Sequence, residues 1–157
     1  MAHRSYANMY EVALDEAWEL FGDHLSGGRS ALLLAVSERP LGDRARTALA
    51  SAAATLGYGA NACAFAALEG PEGALDRQAL FMLVEGLDPI GLVAADAEAA
   101  RLLAEAYRCP VALDGARRVF GRTCVAFASF EGMLDDDREK QRAWGLLKRL
   151  SGRPLSP

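Results

Sequence analysis

Leu87-Asp88-Pro89-Ile90-Gly91-Leu92-Val93-Ala94-Ala95-Asp96, followed by the Ala/Leu-rich run Ala97 to Tyr107, reads as one strand passing directly into one helix. Its first half is short, continuously apolar and preceded by Pro89. That is the pattern of a strand covered on both faces, and such strands belong to parallel sheets wrapped by helices. Asp96 stands where a carboxylate accepts hydrogen bonds from the free N–H groups of a helix's first turn, so it is read as an N-cap. In sheets of this kind ligands bind where strands end and helices begin, which directs attention to the carboxyl edge.

Outward from that stretch the same alternation repeats. Toward the N-terminus, Tyr6 to Leu25 places Tyr6, Met9, Tyr10, Ala13, Leu14, Ala17, Leu20 and Phe21 at helical spacing, with Ser5 as a cap and Glu11, Asp15 and Glu19 outside. Gly27-Gly28 breaks this pattern, and a strand at 31–36 follows, ending in Ser37-Glu38-Arg39-Pro40. A helix from Asp43 to Leu56, small on one face (Ala45, Ala48, Ala52), closes at Gly57; a strand at 62–68, a turn at Gly70 to Gly73 and a helix from about Leu75 to Gly86 complete this half. Toward the C-terminus, Cys109 to Leu113 and Val119 to Arg122 read as short extended pieces around a turn at Asp114-Gly115. A buried strand at 123–128 and a helix from the Asp135-Asp136-Asp137 run through Leu150 finish the pattern. The expectation is one domain over residues 1–150: a three-layer α/β/α sandwich on a four-stranded parallel sheet with strands near 31–36, 62–68, 90–95 and 123–128. A polar, proline-containing tail covers 151–157.

Composition sets bounds on function. The 157 residues suffice to bury about 70% of the unfolded surface. Hydrophobic residues make up 52% and charged residues 24%, with a net charge of −4, which excludes a disordered chain. No apolar run approaches the roughly 20 residues of a membrane span, and Met1 to Ser5 leads into a charged amphipathic segment, so no membrane association and a cytoplasmic location are expected. Cys63, Cys109 and Cys124 are dispersed, with no neighbouring histidine, and read as reduced thiols; no metal site and no cofactor are expected. A pI near 5.2 argues against strong nonspecific DNA binding.

The order of motifs resembles the uracil-DNA glycosylase-like superfamily, most nearly its family 4 and 5 branches, over about residues 30 to 150. Ser37-Glu38-Arg39-Pro40 stands where that superfamily has Gly-Glu-Ala-Pro after the first strand. Pro89 through Ala99 is similar to its Pro-x-(apolar strand)-Leu-Gly-x-x-Ala segment, with Ala94-Ala95 in place of Leu-Gly. Leu113-Asp114-Gly115, Val119-Phe120-Gly121, Val125 to Phe130, and Lys140-Gln141-Arg142-Ala143-Trp144-Gly145-Leu146-Leu147-Lys148 follow in the family's order. The resemblance implies a DNA-repair-related fold in which a first-motif polar residue works on the sugar side and a histidine of the last motif donates to the departing uracil anion.

This chain departs from the family at those positions. Glu131 stands in the place of the histidine, and an ionised carboxylate is an acceptor that repels a developing anion. Ala66-Ala67-Leu68 replaces the asparagine that reads the uracil edge, and the family 4 cluster cysteines have no counterparts. Two functions stay open. In one, the chain is a catalytically degenerate relative that binds a nucleobase, nucleotide, nucleic acid or protein partner. In the other, it is a divergent DNA glycosylase or N-glycosidic hydrolase in which Glu38 and Glu131 form an acid/base pair. The remaining crevice residues are Ser37, Arg39, Pro40, Asp96, Ser129 and Phe130, the last as an aromatic platform for a base. His3 and His24 are assigned no role, being remote in sequence from the crevice; Arg117, Arg118 and Arg122 cluster around one turn and are weighed as a phosphate contact against a solvated hairpin face.

Overall fold

The structure, a computed structural model, describes residues 6–151. Ser5, His3 and the tail beyond Ser151 lie outside the described residues, as do the side chains of Tyr6, Met9 and Tyr10. The chain runs α1 (Tyr6–Leu20), a 3-10 turn (Gly22–His24), β1 (Leu25–Gly27), β2 (Leu33–Ser37), α2 (Asp43–Thr55), β3 (Cys63–Ala67) and a small hairpin of β4 (Glu69–Gly70) and β5 (Gly73–Ala74). It continues through α3 (Arg77–Leu87), β6 (Gly91–Ala94), α4 (Ala97–Tyr107), β7 (Gly115–Val119), β8 (Arg122–Ala126), the short α5 (Phe130–Met133), α6 (Asp137–Leu147) and a closing 3-10 turn (Lys148–Ser151).

The four apolar runs expected as strands are four neighbouring parallel strands, in the order β3-β2-β6-β8. Among the described residues the sheet has six strands rather than four, because antiparallel β1 adds to β3 at one edge and antiparallel β7 adds to β8 at the other. Neither edge strand announces itself: β1 is three residues long, and β7 carries the exposed Arg117 and Arg118. The first helix consequently stops at Leu20, which is exposed rather than internal; the chain turns at Leu113-Asp114, beside the expected Asp114-Gly115, and again, within a piece expected to be extended, at Phe120-Gly121. Both turn residues have positive φ, 48° and 84°, as a two-residue hairpin turn matched to strand twist requires. Phe120 tolerates this strained position with its ring edge-on to Tyr107 and Phe81, at 4.9 and 6.0 Å between centroids.

Because side chains alternate along a strand, each parallel strand feeds two cores. Leu34, Val36, Ala64, Ala66, Leu92, Ala94, Cys124 and Ala126 face α1, α3 and α4; Leu33, Ala35, Cys63, Phe65, Val93, Ala95, Val125 and Phe127 face α2, α5 and α6. The result is a three-layer α/β/α domain with a mostly parallel central sheet and, among the described residues, three helices to a side. Aspartates start its helices as N-caps: Asp76 accepts from the Ala79 N–H at 2.8 Å, Asp96 from Ala99 at 2.9 Å and Asp136 from Glu139 at 3.0 Å. From β2 the chain moves to β3 on one side and later to β6 on the other, so strand order reverses between β2 and β6 and the switch point lies at their carboxyl ends.

Candidate functional site

At that switch point the strand ends are tied together. Asp96 uses both carboxylate oxygens: Oδ1 caps α4, and Oδ2 accepts the Glu38 N–H at 2.9 Å, joining the exit of β2 to the exit of β6. Glu131, exposed on the first turn of α5, accepts the Gly42 N–H at 2.7 Å on Oε2 and so caps α2 from across the edge. Its carboxylate satisfies one of the orphan donors at a helix start, where negative charge is favoured. Phe130 donates its N–H to Ala95 O at 2.8 Å while its ring, 1% exposed, packs on Phe127 at 5.2 Å. The expected aromatic platform thus belongs to the core beneath α2 and α6.

The other sequence candidates separate. Ser37 is buried and donates its hydroxyl to Arg39 O at 2.6 Å; Ser129 is exposed and caps α5 through the Gly132 N–H at 3.1 Å. Arg39 is exposed and pairs with Glu69 at 3.4 Å, and Pro40 is exposed beside it. The Glu38 side chain is half-buried and makes no hydrogen bond or ion pair among the described residues. Arg122 parts from Arg117 and Arg118. Its side chain is buried, with Nε donating to Pro89 O, Nη1 to Glu85 and Nη2 to Asp88, each at 2.8 Å. Glu85 also accepts the Tyr107 hydroxyl at 2.6 Å, so this arginine pins α3 to β8 and is not offered to a phosphate.

A cavity of about 290 Å³ opens next to the first motif, on the β3 side. It is lined by Asp23 to Ser26, by Ser37, Pro40 and Leu41, by Arg46 and by Phe65 to Ala67. Arg46 lies over the Phe65 ring at 4.5 Å and donates to Ser26 Oγ at 2.8 Å. His24 Nδ1 is 2.8 Å from Ala67 O; a carbonyl only accepts, so Nδ1 carries a proton and donates it there. Gly70 makes room for this ring, since a Cβ there would stand 2.5 Å from His24 Cε1. His24, Ser26 and Arg46 were not among the sequence candidates. What joins them is β1, which pairs Ser26 with Phe65 and carries the 3-10 turn of His24 to the end of β3.

A second cavity of about 300 Å³ lies between α2 and α6, walled by Ala48, Ala52, Phe130, Trp144 and Leu147 with Lys140 at its side. Two thiols are chemically quiet: burial pushes Cys63 up to about 12, against the pull of Arg46, and pushes Cys124 up to about 12. Among the described residues no group of three or more His, Cys, Asp or Glu could hold a metal ion, and no helix is long and apolar enough to cross a membrane. No family model matches the chain, and no curated protein matches it in sequence.

Proposed function

We propose that this chain is a uracil-DNA glycosylase-like domain that binds a nucleobase or nucleotide without excising a base, its ligand seat being the cavity between the β2–α2 loop and β3. The observation that carries the reading is the hydrogen bond from the Gly42 N–H to Glu131 Oε2. At the place where the resemblance calls for a donor to a departing anion, this chain has an acceptor, and that acceptor is occupied in holding the start of α2. Asp96 is likewise engaged twice, in capping α4 and in fixing the Glu38 backbone. Glu131, one of the two carboxylates that would move protons in an excising enzyme, serves here as a tie across the sheet edge, which supports binding over turnover.

The test is a glycosylase assay on single- and double-stranded uracil-containing DNA, with an active family member as control. No uracil release is expected. Release that disappears in Glu131→Gln would overturn the reading and install the carboxylate mechanism in its place.

A further inference from the structure

We propose that the cavity between β1, β3 and the first turns of α2 is an oxyanion site, in which Arg46 receives the phosphate or carboxylate end of a small ligand. The inference rests on taking this cavity as the ligand seat, and it does not need the glycosylase likeness. Arg46 is half-buried in the cavity wall, and among the described residues it has no carboxylate within ion-pair distance. Its neighbours Arg39 and Arg44 each have one, in Glu69 and Asp135. Removing a cation from water without a counter-charge is costly, and a bound anion recovers that cost through charge-assisted hydrogen bonds.

The Phe65 ring lies 4.5 Å from the Arg46 guanidinium and Ser26 takes Nη1 at 2.8 Å, which leaves the Nε and Nη2 donors without a partner among the described residues and able to meet an oxyanion in the cavity that Arg46 lines. His24 adds a second polar side chain to the lining. With Nδ1 held by Ala67 O, Nε2 is the ring nitrogen left to meet a ligand oxygen. Asp23 also lines the cavity, but it is exposed, where solvent and salt weaken its repulsion. The apolar Leu41, Phe65 and Ala66 complete the seat, and about 290 Å³ accommodates an oxyanion with a small body attached.

The experiment is NMR on the full ¹⁵N-labelled chain, following the Arg46 Nε–H and His24 ring signals during titration with inorganic phosphate and, separately, acetate at constant ionic strength. Saturable shifts at both residues with at least one anion are expected. Phosphate alone would identify a phosphoryl ligand and acetate alone a carboxylate. Arg46→Gln should weaken binding at least tenfold and Arg46→Lys much less; His24→Gln, which leaves the cation in place, gives an independent loss should Arg46→Gln fail to fold. Linear, non-saturating shifts, or shifts shared equally with the exposed Arg117 and Arg118, or undiminished binding in both Arg46→Gln and His24→Gln, would overturn the site. Deoxyuridine binding in the cavity without any response to either anion would remove the oxyanion site and leave the ligand seat. Uracil release would remove the proposed function and leave the oxyanion site.

Discussion

Replacing Asp96 by asparagine tests whether its second oxygen matters. At an ordinary N-cap the exchange is nearly free, because asparagine and aspartate cap about equally well. Here Oδ1 accepts from Ala99 and Oδ2 from Glu38, both at 2.9 Å, and an amide has only one acceptor oxygen. Whichever way it turns, its NH₂ meets one of the two N–H donors. Losing the bond to a half-buried N–H costs about 1–3 kcal/mol, and losing the cap costs about 1 kcal/mol. D96N should therefore lose about 1–2 kcal/mol, D96S about as much through the missing bridge to Glu38, and D96A about 2–4 kcal/mol through both. With a urea slope of about 2 kcal/mol/M for a domain of this size, D96N should move the unfolding midpoint down by about 0.5–1 M with the slope unchanged. A D96N protein within about 0.3 kcal/mol of wild type would show that the tie between β2 and β6 is energetically idle.

Arg122→Met should cost about 2–3 kcal/mol and lower Tm by about 4–10 °C in calorimetry, since it strips Pro89 O, Glu85 and Asp88 of a common donor; the partial exposure of both acids keeps the loss below that of a fully buried pair. A change under about 1 kcal/mol would contradict the assignment. In a thiol titration with Ellman's reagent at pH 8, Cys109 should react in the native protein and Cys63 and Cys124 only after unfolding; three fast thiols would refute it. The two buried thiols are held protonated in the native state to about pH 12, whereas they ionise near 9 when unfolded. The native state thus binds more protons across that interval, and stability should fall as pH rises from about 9 toward 12; burial of Tyr58 and Tyr107 adds the same sign. A flat alkaline limb in pH-dependent denaturation would count against this.

The architecture was legible where apolar runs were long enough to show a period. Leu33 to Val36, Cys63 to Ala67, Gly91 to Ala94 and Thr123 to Ala126 each fell within a strand expected from the sequence, and the role of Asp96 as a cap followed from its place before Ala97. The edges were not legible. Leu25–Gly27 is too short to alternate, and Arg117-Arg118 has the polarity of a loop because its strand borders solvent. That blind spot carried into the site: without β1, nothing in the sequence links His24 and Ser26 to Arg46 and Phe65. Reading strand ends also gave Glu131 and Phe130 as reactive or stacking groups, whereas side-chain direction, which a residue string does not encode, sends one to Gly42 and the other into the core.

The two border strands bear on how the protein behaves when crowded. A parallel sheet that ended at β3 and β8 would display rows of unpaired amides flanked by alanine, valine and cysteine, a template for addition of further chains. Instead one border is three residues long and ends at Gly27 and Gly28, where a Cβ on Gly28 would strike the Asn61 carbonyl; the other bears Arg117 and Arg118 outward. Both borders discourage strand addition, one by brevity and the other by charge. Fibril formation should accordingly begin from molecules whose borders have frayed, at rates set by local opening of β1 or β7 and slowed little by raising the stability of the central strands.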